Sequence, residues 1–238
     1  MPSVPPIQLD ENALRLWITH DVVRNSVTAS AVADLGDIAV AYSLALGIVA
    51  SAAKRVEGKF GGWSEESSRR GSILAGFIVG LTLVERAILG GFGAQAAALV
   101  RQELEAIAAL EEIRLGCRNE RRTPNVRHVP SVPGPLYSDL SKAAHFADTA
   151  TLQSLTQYRG EIEGEPGPSE KWLLSPQYVP ERTRRLFALH TLLLLHLAEH
   201  QALDHAEVHK SESPPEHDQA FDQALELLMR AGVVEGEA

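Results

Sequence analysis

The stretch AQAAALVRQELEAIAALEEIRL, residues 94–115, decides the fold class. At 3.6 residues per turn, Leu99, Val100, Leu104, Ile107, Leu110, Ile113 and Leu115 share one broad arc, while Arg101, Glu105 and Glu112 line the opposite edge. Ala, Leu, Glu and Arg are strong helix formers, and neither proline nor glycine interrupts the run. One carboxylate breaks the pattern. Glu103 falls inside the apolar arc, where burial demands a partner or a proton; the expectation is a side chain reaching past the helix edge to water.

Outward from this helix the same period recurs. Asp10 caps a predicted helix over Glu11–Val22, followed by a long one over Val23–Glu57 that ends at Gly58 and Gly61-Gly62. Ser64 begins a third, with Glu65 and Glu66 in its first turn, reaching Leu89 before the break at Gly90, Gly91 and Gly93. Pro135 starts another, running to about Tyr158, and further helices are predicted over Pro180–Val208 and Glu216–Met229. Residues 118–135 are a basic loop and 159–179 a second loop, for which a small β-hairpin flanking Gly160–Gly167 is the alternative. The reading is all-α: a single helical bundle of about seven helices with two long loops, one domain over residues 1–238. It includes a Pro-rich lead at 1–9 and an acidic C-terminal segment at 210–238.

Composition agrees. Hydrophobic residues make up 45% of the 238 and charged residues 22%, enough apolar surface to offset chain entropy; aromatics at 5% and abundant Ala and Leu favour helices over sheets. The single cysteine, Cys117, excludes an intrachain disulfide and a thiolate metal cluster, so a reducing cytoplasm is the expected compartment. The N-terminus lacks the pattern of a secretory signal. The longest uncharged run, Ile38–Ala53, is rich in Ala, Gly and Ser and shorter than a membrane span of about 20 residues, so it reads as a core helix with no membrane role. The net charge of −9 is concentrated beyond Glu199, whereas Arg114–Arg127 is basic. The two segments either meet or remain separate solvated stretches.

Three groups of residues bear on chemistry. Five of the nine histidines lie between His190 and His209. His196-Leu-Ala-Glu199-His200 has the H-x-x-E-H form of one metalloprotease class, making His196 and His200 the metal candidates. A third ligand is missing, so hydrogen-bonded core histidines are the leading reading, with His205 and His209 a wet pair on the opposite face, and no metal or cofactor is expected. Tyr137, Leu140, Ser141, Ala144, His145 and Asp148 form one stripe at helical spacing, either a polar network fixing helix packing or an active site. Ser141 and His145 on one rigid helix lack a nucleophile elbow and an oxyanion donor, which excludes a hydrolase triad. Arg101 and Glu105, one turn apart, are expected to face Tyr137, Ser141 and His145 across a helix–helix cleft.

The run Ala98-Leu-Val-Arg101-Gln-Glu-Leu-Glu105, followed after a basic loop by Tyr137-Ser-Asp-Leu140-Ser141-Lys-Ala-Ala-His145, resembles uncharacterised prokaryotic all-helical proteins. These carry R-x-x-x-E and Y-x-x-L-S-x-x-x-H helices and are distantly similar to the HEPN superfamily. The resemblance covers residues 90–150. It implies a helical bundle that dimerises and, in many HEPN members, a ribonuclease of toxin or defence systems with Arg101, Glu105, Tyr137, Ser141 and His145 in one pocket. The HEPN arginine, four to six residues before a histidine, has counterparts at Arg15/His20, at Arg121 or Arg122 with His128, and at Arg184 or Arg185 with His190. The expected function is a non-catalytic, self-associating helical bundle that binds protein partners. A HEPN-like ribonuclease with RNA as partner is the alternative, and a metal-dependent hydrolase the second alternative.

Overall fold

A computed structural model describes residues 6–59, 61, 64–130, 134–144, 148–161, 168–172 and 174–232. The chain begins with two helices, α1 (Pro6–Asp34) and α2 (Asp37–Val56), divided at Gly36 with φ of +51°. The expected division at Val22–Val23 is therefore displaced. Nothing between Asp21 and Asp34 stops a helix, whereas Gly36 adopts the left-handed backbone that ends one turn, and Asp37 opens the next.

Helix α3 (Glu65–Leu89) starts on a reciprocal cap: Ser64 Oγ accepts from the Ser67 amide at 3.1 Å, and Ser67 Oγ accepts from the Ser64 amide at 2.8 Å. Gly91, with φ of +75°, turns the chain into α4 (Gly93–Arg114). Its backbone passes so near the segment before the next long helix that a Cβ would sit 2.5 Å from the Gln177 carbonyl oxygen. After the basic loop, which holds a short 3-10 turn at Val126–His128, come α5 (Gly134–Ala144) and α6 (Thr149–Thr156). The expected loop at 159–179 contains an antiparallel hairpin, β1 (Gln157–Glu161) with β2 (Pro168–Trp172), in register Gln157↔Trp172 to Glu161↔Pro168.

Helix α7 (Pro180–His209) is the axle of an all-α bundle. It packs on α2, α3 and α4, and α8 (Pro215–Arg230) covers the other side of α2. Its middle, Phe187–Ala198, is buried on every side, so periodicity there gives way to an apolar run broken only by His190, Thr191 and His196. Ile38, Ala45, Val100, Leu104, Ile107 and Leu193 have no exposed surface. Burying a side chain of this size stabilises by about 1.5–3 kcal/mol, so these layers are the main stabilising contribution. By length and composition α2 and α3 would each suffice to cross a membrane, with 39% of either span buried inside the bundle.

Candidate functional site

Helices α4 and α5 bring the first polar group together. Arg101 Nε donates to Glu105 Oε1 at 2.9 Å, its Nη2 donates to Tyr137 Oη at 3.2 Å, and Tyr137 Oη donates to Glu105 Oε1 at 2.8 Å. The guanidinium also lies over the Tyr137 ring, 5.3 Å from its centroid. Partial burial pulls the Arg101 pKa down, but Tyr137 and Glu105 push it further up, and the net direction is above the ordinary arginine value. Ser141 follows Tyr137 by one turn of α5 and is half-buried; His145 lies outside the described residues. The three side chains close a ring of charge-assisted bonds with each group facing another. Such a ring locks the crossing of α4 and α5.

The basic loop is tied to the same helix. Glu112 Oε1 accepts from the Asn125 amide at 2.7 Å, and its Oε2 accepts from Arg118 Nη1 at 3.1 Å. Arg118 also donates to the carbonyls of Asn119 and Arg122. Arg121, Arg122 and Arg127 are left exposed. Among the described residues no ion pair joins the Arg114–Arg127 segment to the acidic residues from Glu199 onward: Arg114 pairs with Glu111 and Arg118 with Glu112.

Glu103 does not reach water. It is 5% exposed, and its Oε2 lies 2.8 Å from Nδ1 of His190, which has no exposed surface. The arc containing Glu103 faces α7 rather than a helix edge, so the carboxylate meets an imidazole carried by the apolar middle of that helix. Burial pushes the Glu103 carboxyl above the usual range, with His190 pulling the other way. Tyr42 stacks beside this pair, its ring 5.5 Å from that of His190.

The H-x-x-E-H residues do not converge. His196 Nδ1 lies 2.9 Å from Glu199 Oε2, and His200 Nε2 lies 3.3 Å from Glu111 Oε1 on α4. Among the described residues no three His, Cys, Asp or Glu side chains gather as metal ligands. His205, expected on a wet face, is buried at 7% exposure, because α8 returns across that side of α7. Sequence reasoning also missed Arg70. It is buried between α3 and α7, donates to Asp204 and Glu207 and pairs with Glu66. The Glu66–Arg70 spacing was visible, but its partners on α7 lie 134 and 137 residues away.

Of the HEPN-type arginines, Arg184 donates to the Asp34 carbonyl and Arg15 is exposed on α1. No protein family, no curated protein and no solved structure matches this chain.

Proposed function

We propose that the protein is a non-catalytic helical bundle that self-associates through α1 and works by binding partners. The observation that carries this reading is the outer half of α1. Every residue from Glu11 to Thr19 is exposed, and Leu14 (55%), Trp17 (68%) and Val22 (62%) present apolar surface. Only Val27 and Ala31 are buried along the helix's inner half. At 1.5 Å per residue α1 spans about 43 Å, so its free half is an arm. Exposed apolar surface on this scale marks an interaction face. The same chain offers a receiving face on α3, where Val79 (84%) and Leu83 (60%) flank Gly76 and Gly80, whose Cβ positions have open space around them. A second copy satisfies both faces reciprocally.

The test is light scattering at tens of micromolar. The wild-type chain is expected as a dimer, and Leu14→Glu with Trp17→Glu as a monomer of unchanged helical content. A wild-type monomer, or a variant that still dimerises, overturns the reading.

The Arg101–Glu105–Tyr137 ring supports a packing network rather than a reaction centre, since all three groups are engaged with one another. A HEPN-like ribonuclease is the second reading, favoured by exposed Arg121, Arg122 and Arg127 in the loop that follows α4. Cleavage of single-stranded RNA by purified protein, abolished in Arg101→Ala and insensitive to EDTA, is the outcome that would install it. We place the protein in the cytoplasm, which suits its exposed, unbridged Cys117.

A further inference from the structure

The histidine-rich end of α7 plays no part in that reading, and it opens on a cavity. Between α2, α7 and α8 lies a half-enclosed cleft of about 280 Å³. The apolar part of its lining is Ile48 and Ala52 from α2, Ala198 and Ala202 from α7, and Phe221 from α8. His205 lines it at 7% exposure, and its ring nitrogens have no hydrogen-bond partner among the described residues; the ring meets His209 edge-on at 5.9 Å. Lining the cleft, the ring is placed to exchange a hydrogen bond with whatever occupies it. His217, on the same lining, is already held by Ser51 Oγ at 3.0 Å.

The charged part of the lining is mainly acidic. Asp218 and Asp222 stand one turn apart on α8, both exposed and neither in an ion pair among the described residues. Like charges at that spacing repel, and only Asp218 sits in the first turn, where the helix dipole offsets the repulsion. Glu199 adds a third carboxylate, engaged with His196. Among the described lining residues the permanent cation is Arg55, whose guanidinium is taken up by Ser211 Oγ at 2.6 Å and the Glu212 carbonyl at 2.7 Å. Burial, with the nearby charges of His209, Arg55, Lys59 and His217, pulls His205 below the ordinary histidine value and favours its neutral form, which has one donor and one acceptor nitrogen.

We propose that this cleft binds a small organic amine, with the ammonium between Asp218 and Asp222, the apolar body against Ala52, Ala198 and Phe221, and a hydroxyl or carbonyl at the buried end bonded to His205. An anion would meet three carboxylates. A metal ion would lack ligands, since no three donor side chains converge among the described residues. A neutral apolar molecule would leave both the acidic pair and His205 unanswered. Only a cation with an apolar body and a polar tip satisfies all three parts of the lining.

The probe is tyramine, which carries an ammonium, an aromatic body and a hydroxyl. Calorimetry and thermal shift on the full chain would compare it with phenethylamine, lacking the hydroxyl, and with 3-(4-hydroxyphenyl)propionate, which inverts the charge. Tyramine is expected to bind and raise Tm, phenethylamine to bind more weakly, and the propionate not to bind. Asp222→Asn, at an exposed position, should weaken tyramine by about tenfold, the scale of one hydrogen bond to a charged group, with an unchanged or higher Tm in the absence of ligand. His205→Phe should erase the difference between tyramine and phenethylamine. The proposal is overturned if the propionate binds as well as the amine, or if Asp218→Asn with Asp222→Asn keeps wild-type affinity. Failure of both amines to bind up to millimolar concentration overturns it equally.

Discussion

His190 on α7 and Glu103 on α4 are bonded at 2.8 Å in the buried core, and among the described residues neither Glu103 Oε1 nor His190 Nε2 has a hydrogen-bond partner. Each therefore depends on the other. Removing one partner of a buried pair leaves an uncompensated polar group and costs about 3–5 kcal/mol, whereas replacing both with apolar residues of similar volume is often close to neutral. His190→Ala should lower unfolding stability by that amount in urea titrations, and Glu103→Met with His190→Leu should recover most of it. A single variant within about 1 kcal/mol of wild type would show that the pair is not essential to the core.

Stability should fall as acid is added through the histidine range. Burial is the main cause that holds His200 and His205 below their ordinary value of 6.5, against opposing pulls on His200 from Glu111 and Glu199; His196 and Arg114 reinforce the shift. A group with a lowered folded-state pKa contributes stability that is complete above the unfolded value and is lost as pH falls through the folded one. Glu103 runs the other way: its raised pKa gives a contribution complete below 4.5 and lost as pH rises through the folded value. Thermal melts between about pH 7 and 5 should show a declining Tm, with a shallower decline in His200→Asn, His205→Asn. An equal slope in that variant would assign the acid sensitivity elsewhere.

Tyr137 donates to Glu105 and accepts from Arg101, so Tyr137→Phe deletes two bonds while keeping the ring under the guanidinium. The expected loss is about 1–3 kcal/mol, because Glu105 and Arg101 lose a partner in a half-buried setting. Calorimetric melting would read it. A change below about 0.5 kcal/mol would mean that water replaces the hydroxyl and that the ring of bonds does not secure the α4–α5 crossing.

Gly91 and Gly36 both have positive φ but differ in surroundings. A Cβ at Gly91 would stand 2.5 Å from the Gln177 carbonyl oxygen and 2.8 Å from Val27 Cγ1, while one at Gly36 meets nothing within 4 Å. Gly36→Ala should cost about 1–2 kcal/mol from backbone strain alone, and Gly91→Ala clearly more, through the added clash. Comparable Tm losses in the two variants would refute the close approach between the α3–α4 turn and the segment before α7.

The helices and the Arg101–Glu105 pair were legible because each depends on local spacing, whereas Tyr137 joins that pair from 36 and 32 positions away. Leu99 to Leu115 writes its face at one period, and a residue at i+4 is a neighbour whatever the fold. What could not be read depends on packing between distant segments. Glu103 looks like a snorkelling side chain until His190, 87 positions away, is seen opposite it. His205 looks wet until α8 folds back over it. The division between α1 and α2 lies beyond the expected one because Val23–Asp34 holds neither glycine nor proline to mark a boundary, while Gly36 signals an end only through its conformation.

Helix α7 touches α1, α2, α3, α4 and α8, yet it is made only after residue 180. On a ribosome adding about 5–20 residues per second, the end of α7 follows the end of α4 by roughly 5–20 seconds. Throughout that interval the emerged helices lack the surface against which α2, α3 and α4 pack. The nascent chain is thus a sticky half-bundle until its axle arrives, and truncations before His209 should be captured by chaperones or degraded rather than accumulate as smaller folded domains.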